Sequence, residues 1–237
     1  MGSLDTLLVV QQHDLALDRL AHRRDNLPER AAIVALMSDL AMARMAEGMA
    51  RIAREDLAGL QARLEADAEA IGVRIADIEQ RLYGGSVSAP RELSAMAAEV
   101  ESLRRQRSGV EDRLLAAMEE AEPMDAELEE LVGSLAGMEA EQARLMDALA
   151  DAETVIEAEA AIERASRQDL AASLPGALSE RYEGLRVRLG GIGVAKLHNG
   201  SCDGCHLALP AAERERLRRL GPDELATCDQ CGRILVP

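Results

Sequence analysis

Tryptophan and phenylalanine are absent from this 237-residue sequence, and tyrosine occurs only at Tyr83 and Tyr182. A compact core of that size normally uses large rings to fill its volume, so an ordinary globule is excluded. The 18 glycines and 7 prolines are too few for a loop-rich β protein or a disordered chain. No window of about 18 residues is free of charge, which excludes a membrane-spanning helix. Met1–Val10 has neither a basic leading region nor a cleavage site, so no secretory signal is expected there. A formal acylation pattern, Met1-Gly2 with Thr6, is set aside because the residues behind it read as helix. Lysine occurs once, at Lys196, and cysteine is missing until position 202.

What remains is alanine, leucine, methionine, isoleucine and valine among 30% charged residues, the composition of long helices packed along narrow seams. From Leu93 a heptad seam steps by three and four through Met96, Val100, Leu103, Arg107, Val110 and Leu114, and onward to Gln142 and Ile156. Nine heptads in one register support a coiled coil. An upstream seam runs through Leu57, Leu60, Leu64, Ala68, Ile71, Ile75, Ile78 and Leu82, with Ile33, Leu36, Leu40 and Ala43 continuing it more weakly. Leu8, Leu15, Leu17 and Leu20 fit an opening helix. Arg107 and Gln142 read as register-setting seam residues, and the methionines as seam filler.

Residues 83–90 carry Gly84-Gly85 and Pro90, a helix stop followed by a helix start. The spacing therefore predicts a mostly α fold. Residues 1–175 form a long antiparallel coiled-coil hairpin that turns near 83–90, with each arm reaching roughly 120 Å at the helical rise. Pro28 either kinks the first arm or starts its second helix. Pro123 lies in register within the long arm, where a kink is expected rather than a break. The small C-terminal domain, 176–237, opens with a helix from about Leu178 to Leu189. It continues with a strand near Ile192–His198, an Asn199-Gly200 turn, a short basic helix from Ala211 to Leu220 and a last strand from Arg233.

Charge divides the same way. Residues 181–237 carry nine basic and seven acidic side chains, a balance of +2, so residues 1–180 hold −18 of a total of −16. The helical part repels nucleic acid and anionic membrane, and any polyanion contact falls to the tail. Arg214, Arg218 and Arg219 can share one helical face there, with Arg233 and Lys196 nearby. These five are the candidate RNA or DNA contacts. Against them stand interleaved acids, Asp223 among them, and the lack of an aromatic ring to stack bases.

Cys202-Asp203-Gly204-Cys205 and Cys228-Asp229-Gln230-Cys231 lie 22 residues apart. Two CxxC turns place four sulfurs around one tetrahedral ion, so Cys202, Cys205, Cys228 and Cys231 are read as ligands of one structural Zn²⁺. Gly204 and Gly232 are expected to supply the positive φ and close backbone approach of each knuckle. His198 and His206 flank the site as surface or supporting residues. Four thiolates leave no open position for an activated water, no phosphate loop or nucleophile–base set is present, and no enzyme is expected. A free-thiol metal site points to the cytoplasm. A tail of about 45 residues without rings needs the metal to fold.

These residues resemble a known family, the bacterial C4-type zinc-ribbon proteins with an N-terminal coiled-coil hairpin, which include FlgZ-like flagellar regulators. The resemblance rests on Leu82-Tyr83-Gly84 with Pro90-Arg91-Glu92-Leu93 at the hairpin tip, and on Asn199-Gly200-Ser201 before the first CxxC. Gly232-Arg233-Ile234-Leu235 after the second completes it. It implies a non-enzymatic regulator whose hairpin serves protein partners such as transcription or secretion components, and whose ribbon contacts nucleic acid or protein. Tyr83 and Arg91 at the tip are the candidate partner contacts. A pure protein scaffold or chaperone is the alternative. The sequence leaves monomer and dimer both open.

Overall fold

The computed structural model describes residues 2–221 and 224–236; Met1, Asp223 and Pro237, which entered the readings above, lie outside them. Among the described residues five helices and four short strands follow one another: α1 (Ser3–Asp25), α2 (Pro28–Tyr83), α3 (Pro90–Ala172), α4 (Gly176–Arg188), β1 (Val194–His198), β2 (Ser201–Cys202), α5 (Ala211–Arg218), β3 (Ala226–Thr227) and β4 (Ile234–Val236). The fold is mostly α with a small zinc-ribbon-like sheet, as the patterning predicts. Pro28 starts a helix rather than kinking one, and α3 runs through Pro123 without a break. The chain forms two compact units, residues 33–144 and residues 1–32 with 145–237.

In the first unit α2 and α3 lie antiparallel. Ile75, Ile78, Met96, Val100 and Leu103 form one buried cluster near the turn, and Leu57, Ala117 and Ala121 form another. Every seam position proposed along α3 is buried or half-buried except Arg107, which is exposed and pairs with Glu111 at 2.9 Å. It still reaches across to α2, where its guanidinium lies over Gly72, 3.6 Å from where a Cβ would stand. Cross-helix pairs fix the register: Arg44–Glu139 at 2.8 Å, Arg54–Asp125 at 2.7 Å and Arg74–Glu99 at 2.6 Å. Each is an exposed pair and contributes little to stability. At the turn the Gly84 N–H closes α2 on the Gln80 carbonyl, and Gly85 takes a φ of 75° that a side chain rarely adopts.

The methionines correct one expectation. Met96 is buried in the seam, and Met124 and Met138 are half-buried there, but Met37, Met42, Met45, Met49, Met118 and Met146 are exposed.

In the second unit the expected opening helix, α1, packs on the sheet. The fully buried face of α1 is Leu4, Leu7, Val10, Gln11 and Asp14, not the leucines at 8, 15, 17 and 20, which are only half-buried. Polar residues at two of those five positions hid the face. The sheet order is β2-β1-β4-β3, with β1 and β4 parallel and the other pairs antiparallel. Val194, Ile234 and Val236 point to one face and join Leu4, Leu7, Val10, Tyr182 and Leu185 in a core. Ala195 and Leu235 point to the other and meet Cys202, Leu209, Leu217, Ala226 and Cys228.

Two buried polar contacts hold α1 in place. The Gln11 amide oxygen accepts the Gly193 and Val194 N–H groups, both at 2.8 Å, while its NH₂ donates to the Val194 carbonyl at 2.8 Å. The Asp14 carboxylate, almost wholly buried, accepts Arg167 Nε at 2.8 Å and the Tyr182 hydroxyl at 2.7 Å. Arg167 also pairs with Glu183, and these hydrogen bonds hold its guanidinium above its ordinary pKa. Gly193 is obligatory: a Cβ there would stand 2.8 Å from the Tyr182 ring.

Burial, then the hydrogen bond to Asp14 and its charge, push the Tyr182 hydroxyl well above its usual value. The contribution to stability is complete below about pH 10, the unfolded value, and falls as pH rises beyond it because the unfolded chain ionises first. Urea denaturation should therefore show the parent losing stability above about pH 10 more steeply than Tyr182→Phe. At neutral pH the same variant should cost about 1–2 kcal/mol, since Asp14 keeps Arg167 but loses one donor.

Candidate metal centre

Two knuckles with the same bonding pattern build the site. In each, the N–H of the residue after the second cysteine donates to the carbonyl of the first at 2.7 Å: His206 to Cys202, and Gly232 to Cys228. The N–H of the first cysteine returns to a carbonyl five residues on, Cys202 to Leu207 at 3.0 Å and Cys228 to Arg233 at 2.9 Å. That reversal needs a left-handed residue at the shared position. Gly232 supplies it with a φ of 75°, and His206 with a φ of 60°. Gly204 therefore plays a different part from the one expected. Its φ is ordinary, and its missing side chain makes room for Arg233, whose Cδ would stand 2.5 Å from a Cβ at 204.

The four sulfurs converge. All lie within 4.8 Å of one another, with Cys202–Cys231 at 4.0 Å and Cys205–Cys228 at 3.9 Å. A tetrahedral ion with metal–sulfur bonds of 2.3 Å sets its sulfurs about 3.8 Å apart. The cluster fits a metal ion with little adjustment, and no cysteine is spent in a disulfide. His198 and His206 are exposed and stand outside the cluster.

The thiols are poised unevenly. Burial pushes Cys202 up to about 12, against the opposing N–H groups of Gly204 and Cys205. Burial raises Cys228 as well, opposed by the N–H groups of Cys231 and Gln230. At Cys231 burial also works against ionisation. Hydrogen bonds from the Arg233 backbone and side chain and from the Cys228 and Cys205 thiols outweigh it, bringing the thiol down to about 7. A bound cation would take the place of the remaining thiol protons, and the backbone N–H groups of Gly204, Cys205, Gln230 and Cys231 favour the thiolate forms it would need.

The five basic residues picked out as nucleic-acid contacts differ in what they already bind. Arg233 Nε donates to the Ile192 carbonyl at 3.0 Å and Nη2 to the Leu189 carbonyl at 3.4 Å, tying it beneath the first knuckle. Arg214 folds over the Gly200 turn, where a Cβ would stand 2.9 Å from its Cδ, and its Nε is buried. Arg218 and Arg219 are exposed but both face Glu215, at 3.9 and 3.0 Å. Lys196 is exposed on β1. Tyr83 is 82% exposed at the end of α2, and Arg91 is exposed at the start of α3. Gln11, Asp14 and Tyr182, which anchor α1 against the sheet, carry no motif and were not picked out from the sequence.

Metal retention should fall as pH falls, because the raised thiols reclaim protons, and a Co²⁺ titration read by thiolate charge-transfer absorption should shift to weaker binding in acid. Gly204→Ala should lower metal affinity by forcing Arg233 off its carbonyls. His206→Gly, which suits the left-handed backbone, should hold metal as the parent does and stay within about 1 kcal/mol in stability.

Comparison with known proteins agrees with this geometry. Residues 201–235 match the C4-type zinc ribbon domain. An uncharacterised protein of Mycobacterium tuberculosis is 30% identical over 232 residues, covering 98% of this chain and 94% of that one. A solved structure from Mycobacterium smegmatis superposes with a TM-score of 0.86 at 24% identity, covering 100% of this chain and 99% of that one. The CT398 structure from Chlamydia trachomatis does so with a TM-score of 0.68 at 21% identity, covering 98% and 96%. At those identities the two structures establish the fold alone. A coiled-coil hairpin joined to a closed four-sulfur site is the architecture of an interaction module rather than of an enzyme. With residues 10–190 matching its hairpin domain, the chain belongs to the CT398-like coiled coil hairpin family.

Proposed function

We propose that the chain is a zinc-holding, non-catalytic protein adaptor. In this reading Cys202, Cys205, Cys228 and Cys231 bind one structural Zn²⁺. The ribbon, 176–237, is a metal-stabilised recognition head, and the hairpin, 1–175, presents surfaces to partner proteins. The observation that carries it is the closed four-sulfur cluster joined to a long hairpin whose tip exposes Tyr83 beside a glycine turn. Four unpaired cysteines gathered at one metal site, with none in a disulfide, favour a reducing compartment, and we place the protein in the cytoplasm. Among the described residues no helix is long and apolar enough to cross a membrane.

Nucleic-acid binding by the ribbon is the second reading. What favours it is the exposed trio Lys196, Arg218 and Arg219; what weighs against it is the commitment of Arg233 and Arg214 to backbone and turn. A transcription or secretion component as partner, as in the flagellar regulators, is the narrower form of the adaptor proposal.

The deciding experiment titrates the zinc-loaded protein with pooled RNA and with duplex DNA across salt. The adaptor reading expects no saturable binding at about 50 mM salt, where even a few phosphate contacts register. It also expects loss of captured protein partners on Tyr83→Ala with Arg91→Ala. A steep salt-dependent isotherm abolished by Arg218→Glu with Arg219→Glu would replace it with the nucleic-acid reading.

A further inference from the structure

The outward face of α2 over residues 33–53 differs from the rest of the chain. At 3.6 residues per turn, Val34, Met37, Met42, Met45, Met49 and Ile52 lie within about 80° of one line along the helix. The other positions on that face are Ala35, Ser38, Ala41, Gly48 and Ala53, so none of its residues is charged in a chain that is 30% charged. The six large side chains are between 56% and 69% exposed. The seam that packs on α3, with Leu40 and Leu57 buried, is on the opposite side of the helix, so this face covers nothing within the unit. Gly48 points the same way. A Cβ there would meet nothing within 4 Å, so the glycine weakens the helix without serving a contact in the chain, while it lowers the surface for an approaching backbone.

The rim supplies the sign of the partner. Arg44 and Arg51 are already paired with Glu139 and Glu47. Asp39, Glu55 and Asp56, all exposed, make no ion pair among the described residues. We propose that this face binds a basic amphipathic helix of another protein. Its apolar side chains at i, i+3, i+4 and i+7 pack on the methionines, and its flanking Lys or Arg side chains reach Asp39, Glu55 and Asp56. Unbranched thioethers repack around different apolar side chains, which suits a helix-in-groove contact. A second copy of this chain would set the same three carboxylates against themselves, and an anionic bilayer would meet the same repulsion.

The inference rests on the adaptor reading and narrows it to one surface and one class of partner. Its test uses the full zinc-loaded chain and a dye-labelled helical peptide of about 20 residues made of leucine and lysine at amphipathic spacing. A leucine–glutamate counterpart and a scrambled leucine–lysine peptide serve as controls. Anisotropy titration should show saturable one-to-one binding of the basic helix alone. The Kd should rise tenfold or more in Met45→Glu and in Gly48→Leu, and circular dichroism and melting should match the parent, because both positions are on the outer face. Raising salt should weaken the parent, and weaken Asp39→Asn/Glu55→Gln/Asp56→Asn less. Equal binding to Met45→Glu, or to the scrambled peptide, would reduce the effect to bulk charge and overturn the proposal. So would a parent dimer, seen by sedimentation, that Met45→Glu converts to monomer, or vesicle binding lost in the same variant. In any of these cases, partner capture that still depends on Tyr83 would leave the adaptor reading standing.

Discussion

The parallel pairing of β1 with β4 is the contact on which the C-terminal architecture depends. Two short strands must serve two cores at once, and side-chain alternation lets them. Val194, Ile234 and Val236 face the helices, while Ala195 and Leu235 face the metal site. Neither core is large enough to stand alone in a segment with a single ring, Tyr182. The metal-site core borrows order from the sulfur cluster, and the helical core borrows α1 from the other end of the chain. Gln11 joins them by saturating the backbone of β1 where the strand begins.

This sharing explains what each residue near the knuckles is for. Arg233 looks like a polyanion contact when counted as charge. In place it is a brace that reaches two carbonyls, passes over Gly204 and supports the Cys231 thiolate. Arg214 likewise belongs to a turn. Charge is a property of composition, whereas availability of charge is a property of packing.

The helices, the turn and the cysteine cluster were legible in the sequence because each is a local signal. The α3 seam repeats a heptad, Gly84-Gly85 with Pro90 punctuates a turn, and CxxC spacing encodes a tetrahedral edge. The buried face of α1 was not legible, because Gln11 and Asp14 are polar and their partners stand more than 150 residues away. Strand β3 was missed for a related reason. Two residues, Ala226 and Thr227, have no period of their own and are strand only because β4 lies beside them. The exposed methionines were misread because seam and surface share the same spacing on a helix. Only the position of α3 distinguishes the two faces.

The closure of β1 by Gln11 has a further consequence for how the chain is made. Residue 11 leaves the ribosome long before Val194 exists, and at about 5–20 residues per second the delay is on the order of 10–40 s. β4, the last strand, arrives later still. Until α4 and the strands are made, the apolar face of α1, with Leu4, Leu7 and Val10, lacks the Tyr182, Leu185, Val194 and Ile234 side chains that complete its core. The face thus stays bare while α2 and most of α3 are made, and the pairing of Ile234 with Val194 is the step that closes its core. A product truncated before residue 234 would keep α4 and Val194 against α1 but lose Ile234 and Val236 from that core.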